Sequence, residues 1–184
     1  MVKVTREEVL DYSDTEPVEE GYPRVTKGPY LTRATDATVA VGKGSGLPYV
    51  EYTPVLLEST NPDNSSLDGN DLPIKGFKLP KDRIILFAGP VDKDGNLKTQ
   101  EKIRADTKWM LGRALKVVQN MTGGDGFELK GTQMEMAQSA ANAIKGATFV
   151  AMVGEQREDT KKGYPARNTI REHRVEAEWE KLAG

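Results

Sequence analysis

The sequence predicts a mainly β domain with an inserted helix pair, and three observations predict it. Five short segments are rich in β-branched and aromatic residues. Two segments of helical period lie together between the third and fourth of these. Clusters of Gly, Pro, Asn and Asp separate most of the elements.

Residues 1–24 read as an acidic N-terminal arm. Thr5 and Glu8 have the spacing of a capping box, but only Val4, Val9 and Leu10 offer an anchor, so one or two helical turns and then extended chain through Pro17 and Pro23 are expected. The domain proper spans 25–175. It opens with two β-rich runs, GPYLTRATDATVAV from Gly28 and PYVEYTPVLLE from Pro48, joined by the glycine-dense turn 42–46. In the second run Tyr49, Glu51, Thr53 and Val55 share one face, and Val50, Tyr52, Pro54 and Leu56 the other. Pro48 and Pro54 predict that this run is bent, bulged or at an edge. Residues 58–82 have no apolar period and contain Pro62, Pro73 and Pro80, which marks a long functional or mobile loop. A third strand is expected over 83–88.

The clearest helix is expected over 99–121, where Ile103, Met110, Leu111, Ala114, Leu115, Val118 and Met121 recur at three- and four-residue spacing before a Gly-Gly stop. A second starts at the capping box of Thr132 and Glu135 and ends at Gly146. Strands over 147–153 and 167–174 close the domain, joined by a highly charged connection, and residues 176–184 form a short C-terminal tail containing Trp179. Five strands with a helix pair between strands 3 and 4 is the element order of an OB-like five-stranded barrel, so closure into such a barrel is the expectation.

Composition narrows the chemistry. A length of 184 residues suits one domain with tails, and no apolar run approaches the roughly 18 residues that span a membrane. Zero cysteines exclude disulfides, thiolate metal sites and cysteine nucleophiles, and fit a cytoplasmic setting; the single histidine, His173, leaves one candidate general base. No serine sits in a nucleophile-elbow context. Asp92, Asp94 and Asn96 echo a calcium loop, but Gly95 falls out of register, so a solvated turn is the better reading. The glycines at 42–46 lack phosphate-loop spacing and precede a strand rather than a helix. Catalysis is therefore not expected, and neither is a metal or nucleotide cofactor.

Charge is informative once divided. The chain's net charge is −2, yet residues 1–20 carry seven acids against Lys3 and Arg6, a local −5, so residues 21–184 carry +3. Lys161, Lys162, Arg167, Arg171 and Arg174 crowd the last strand pair against Glu172 alone, and the two-residue period puts Arg167, Thr169, Arg171 and His173 on one face. Tyr164 stands beside them; Tyr30, Tyr49, Tyr52 and Phe77 are further ring candidates, and Lys43 sits at the hairpin tip. Positive charge tracking phosphates, with rings for bases to stack on, is what sequence-tolerant single-strand binding needs. Packing against the core is the competing role for each strand tyrosine, and Trp109, off the main helical stripe, reads as a rim contact or partner anchor.

The pattern as a whole resembles the phage-encoded single-stranded-DNA-binding proteins with an oligonucleotide-binding fold. The features that carry it are Gly28-Pro29-Tyr30, the GKGSGLPYVEY hairpin, the helix KTQEKIRADTKWMLGRALKVV, the strand ATFVAMVGEQ and the closing GYPARNTIREH, over roughly residues 25–175. The resemblance implies non-catalytic, largely sequence-independent coating of single-stranded DNA in phage replication or recombination, in the host cytoplasm, with partners among phage replication or recombination proteins. It makes Tyr30, Tyr49, Tyr52 and Tyr164 stacking candidates, and Lys43, Lys161, Lys162, Arg167 and Arg171 phosphate candidates. Such proteins often end in an acidic tail; here most of the acid is in the N-terminal arm. The sequence leaves homo-oligomerisation open. The alternative reading is a phage virion structural or assembly protein, for which long polar loops and an extended arm are also suited.

Overall fold

A computed structural model describes residues 24–60 and 73–184, so all of the expected arm but Arg24 lies outside the described residues, as does the middle of the polar stretch 58–82. The elements are β1 (Gly28–Val41), β2 (Pro48–Ser59), β3 (Asp82–Ile85), α1 (Gln100–Thr122), α2 (Gln133–Ile144), β4 (Thr148–Gln156), β5 (Arg167–Val175), a 3-10 turn (Glu176–Glu178) and α3 (Trp179–Ala183). The strands form one antiparallel sheet in the order β3-β2-β1-β4-β5.

The two long helices begin where their caps require. The Thr99 side chain accepts from Lys102 N–H, and Gly123, at φ 68°, ends α1 in a left-handed turn that disfavours side chains. Thr132 and Glu135 make the full reciprocal capping box of α2. The α1 stripe Ala114, Val118 and Met121 and the small α2 residues Ala137, Ala140 and Ala141, with Ile144, pack against the inner sheet face. α2 lies on β1 and β2, while α1 lies on β3, β4 and β5.

The inner face buries Tyr30, Ala34, Val50, Tyr52, Leu56, Phe149, Ala151 and Val153. Burial of a large apolar side chain contributes about 1.5–3 kcal/mol, so this cluster holds the sheet and helices together. Leu31 and Val150 point to the outer face, where Trp179 covers them with Leu57, Met152 and Leu182 beside it. Residues 176–184 are thus a docked turn and helix, with Trp179 Nε1 donating to Glu58 Oε2 at 3.0 Å.

Of the alternatives expected for β2 (bent, bulged or at an edge) the structure takes the bulge. β2 is an interior strand paired on both sides, and Pro48 is its first residue. Its register with β1 shifts between Leu31 and Thr32 and between Thr35 and Thr38, the second shift beside Pro54. The expected closure into a barrel does not occur. The expected strand 83–88 pairs only over Asp82–Ile85; Leu86, Phe87 and Ala88 leave the sheet and bury themselves, so no backbone ladder links β3 to β5. No helix among the described residues is long and apolar enough to cross a membrane.

Candidate nucleic-acid interface

The stacking candidates divide by strand face. Tyr30 and Tyr52 point inward and are buried, so neither ring is open to a base. The Tyr30 hydroxyl donates to the Thr26 carbonyl at 2.7 Å. Phe77 is half-buried against the same core. Tyr49 is half-buried on the opposite face, with the Arg83 guanidinium 5.1 Å from its ring centroid. Tyr164 is 59% exposed, at the end of a turn in which Asp159 N–H donates to the Tyr164 carbonyl. The alternation read in β2 already contained this division, since Tyr52 shares a face with Val50 and Leu56.

The cationic candidates all reach solvent, and Arg171 is among the residues lining a cleft between β3, α1 and β5. Lys43 is exposed at the hairpin tip, and Lys161 and Lys162 are exposed in the turn before Tyr164. Arg167 donates to Gln156 Oε1 at 3.1 Å. Arg171 is the extra residue of a β-bulge: Met152 pairs with Glu172, Val153 pairs with Ile170, and nothing pairs with Arg171. Its side chain lies across Gly154, where a Cβ would come within 2.7 Å of its Cγ and Nε, and its guanidinium donates to the Glu155 carbonyl at 2.8 Å. The bulge switches the parity of β5. Asn168 and Ile170 face inward before it and His173 after it, so the expected common face of Arg167, Thr169, Arg171 and His173 does not exist. Arg174 is neutralised by Glu172, which accepts from both Nε and Nη2 at 3.1 Å.

Where the two sheet edges face each other, side chains replace the missing ladder. The Tyr52 hydroxyl donates to Asp82 Oδ2 at 2.8 Å and lies 2.8 Å from His173 Nε2, which is 3.3 Å from the same carboxylate oxygen. With the single phenolic proton committed to Asp82, Nε2 is the donor to the phenol oxygen. Burial, reinforced by the Asp82 charge and the hydrogen bond to it, holds the Tyr52 phenol well above its ordinary pKa. Further along the edge, Asn168 is buried and bonds Val25 on both sides, accepting from its N–H and donating to its carbonyl.

Beside this cluster a cleft of about 350 Å³ opens between β3, α1 and β5. Its lining includes the apolar Ile84, Met110, Val117 and Ile170 together with Asp82, His173, Arg83, Arg113 and Arg171. Trp109, 62% exposed, stands at it with the Arg113 guanidinium 4.8 Å from its ring centroid. Arg113 pairs with no carboxylate among the described residues, whereas Arg83 shares Glu51 with Lys81. A smaller depression of about 70 Å³ shares Asp82 and Ile170 and extends toward Arg167. Trp109 and Arg113 are four residues apart on one helix, which stacks them. Sequence reasoning picked out Trp109 as a rim residue, but not Arg113, Arg83 or Asp82.

The Asp92 segment is the solvated turn expected. Its carboxylate accepts from the N–H groups of Asp94 and Asn96, and those bonds hold it below the usual carboxylate range. Compared with known proteins, the chain matches no family model, and no curated protein is significantly similar to it.

Proposed function

We propose that the chain binds single-stranded DNA without catalysis, with the cleft between β3, α1 and β5 as the centre of the interface. The single observation that carries this is the Trp109–Arg113 pair. It offers an indole ring in solvent and a guanidinium with no carboxylate partner among the described residues, beside a cleft of about 350 Å³. Each base stacked on such a ring contributes about 1–3 kcal/mol, and each phosphate neutralised releases counterions. Tyr49 with Arg83 extends the surface toward the hairpin that carries Lys43. Arg167 extends it toward Lys161, Lys162 and Tyr164.

The fold reading that accompanies this is an OB-like barrel interrupted at one seam. Its support is the strand order, the helix pair between β3 and β4, and the side-chain bridge from Asp82 to His173 across the open edges. The resemblance to phage single-strand-binding proteins points the same way and suggests replication or recombination proteins as partners. Fluorescence anisotropy of a labelled single strand, titrated with the full chain at two salt concentrations, tests the reading. Binding that weakens with salt is expected. Absence of binding at low salt overturns it, and large regular assemblies formed without DNA would favour a virion structural role.

A further inference from the structure

We infer that the cleft takes one nucleobase edge-on and that Asp82 reads its exocyclic amino group, so the strand is bound with a preference for cytosine over thymine. This rests on the reading of the cleft as a single-strand interface, and goes beyond it by assigning base selectivity to a surface otherwise built for tolerance.

The cleft has the layout of a nucleotide site. The Trp109 ring and three guanidinium groups, Arg83, Arg113 and Arg171, line it together with apolar side chains, and Asp82 is the one carboxylate in that lining. That carboxylate is misplaced for phosphate, which it repels. It is well placed for a base edge. Asp82 Oδ2 accepts from the Tyr52 hydroxyl, which itself accepts from His173 Nε2, and this chain fixes the carboxylate's orientation. Oδ1 receives no hydrogen bond among the described residues, and the side chain remains 27% exposed. A fixed acceptor of this kind matches the amino group of cytosine; carboxylates accept from cytosine N4 in base recognition. Thymine presents carbonyl oxygens at O4 and O2, which face a carboxylate unfavourably. Apolar and aromatic walls alone do not separate the two pyrimidines, because every base has a π-face to stack.

Competition measures this directly on the full-length chain, with a labelled mixed-sequence strand displaced by oligo-dC, oligo-dT or oligo-dC whose bases lack the 4-amino group. Oligo-dC is expected to compete about tenfold better than either of the others, a difference typical of one specific base contact. The analogue strand needs no protein variant, so protein folding does not enter that comparison. Asp82→Asn keeps an acceptor for the Tyr52 hydroxyl and turns an amide N–H toward the cleft, and is expected to erase or reverse the preference for cytosine. Equal competition by the three strands on the native chain overturns the inference, as does an unchanged preference in folded Asp82→Asn. Failure of every strand to bind at low salt would overturn the binding reading instead.

Discussion

Tyr30 and Tyr52 lie inside the sheet, while Trp109 and Tyr164 stand in solvent at 62% and 59% exposure. The first pair has its hydroxyls committed to Thr26 and Asp82, and its rings packed among Phe149, Val50 and the helix residues. The second pair has rings in solvent, and the Arg113 guanidinium lies 4.8 Å from the Trp109 ring centroid. Aromatic residues therefore serve two separate purposes in this molecule. Strand parity and helix face decide which purpose each serves; residue type does not. A candidate interface drawn from ring type alone mixes the two.

Substitutions can break that comparison, and the largest expected effect is on the interior. Tyr30→Ala should cost about 3–5 kcal/mol of stability by leaving a cavity, as read by denaturant unfolding, without removing a stacking surface. Trp109→Ala should do the opposite. It should change stability by no more than about 0.5 kcal/mol and weaken single-strand binding by about 1–3 kcal/mol. Equal loss of stability from both would erase the distinction. Tyr52→Phe sharpens it: the ring stays, the link to Asp82 and His173 goes, and about 1–2 kcal/mol should be lost because buried partners are left unpaired.

Tyr52 also sets an alkaline limit. Its raised pKa means the folded chain keeps a proton that the unfolded chain releases above the ordinary tyrosine range. Stability should therefore be unaffected by this group below that range and fall as pH rises above it. Tyrosinate absorbance and unfolding followed together should coincide for the Tyr52 share. The smallest effect is at acid pH. The hydrogen bond from Lys81, with the Lys81 and Arg83 charges, outweighs desolvation and lowers the Glu51 pKa. Its contribution is present above the ordinary glutamate pKa and is lost as pH falls through the folded value. Because Lys81 and Arg83 are mostly in solvent, Glu51→Gln should flatten the acid limb only slightly.

Local physics explains how much the sequence revealed. Caps at Thr99 and Thr132, the glycine stop after α1 and the alternation in β2 act within four residues, so the two long helices and all five strands were legible, although β3 ends three residues before the expected 88. The bulge at Arg171 has no side-chain signature, and it reverses the parity on which the cationic face of β5 was argued. The Tyr52–Asp82–His173 contact joins three distant segments, which periodicity does not report. Arg113 looked like an ordinary helix cation until the turn spacing put it on Trp109 and the fold put both beside β3 and β5.

The most direct test of the interface uses the chain's two tryptophans, of which Trp109 is exposed and Trp179 is buried. Iodide quenching of tryptophan emission should be strong in the free chain and fall sharply when a saturating single strand covers Trp109. Quenching that stays unchanged while the strand is demonstrably bound would put the interface elsewhere and contradict the account.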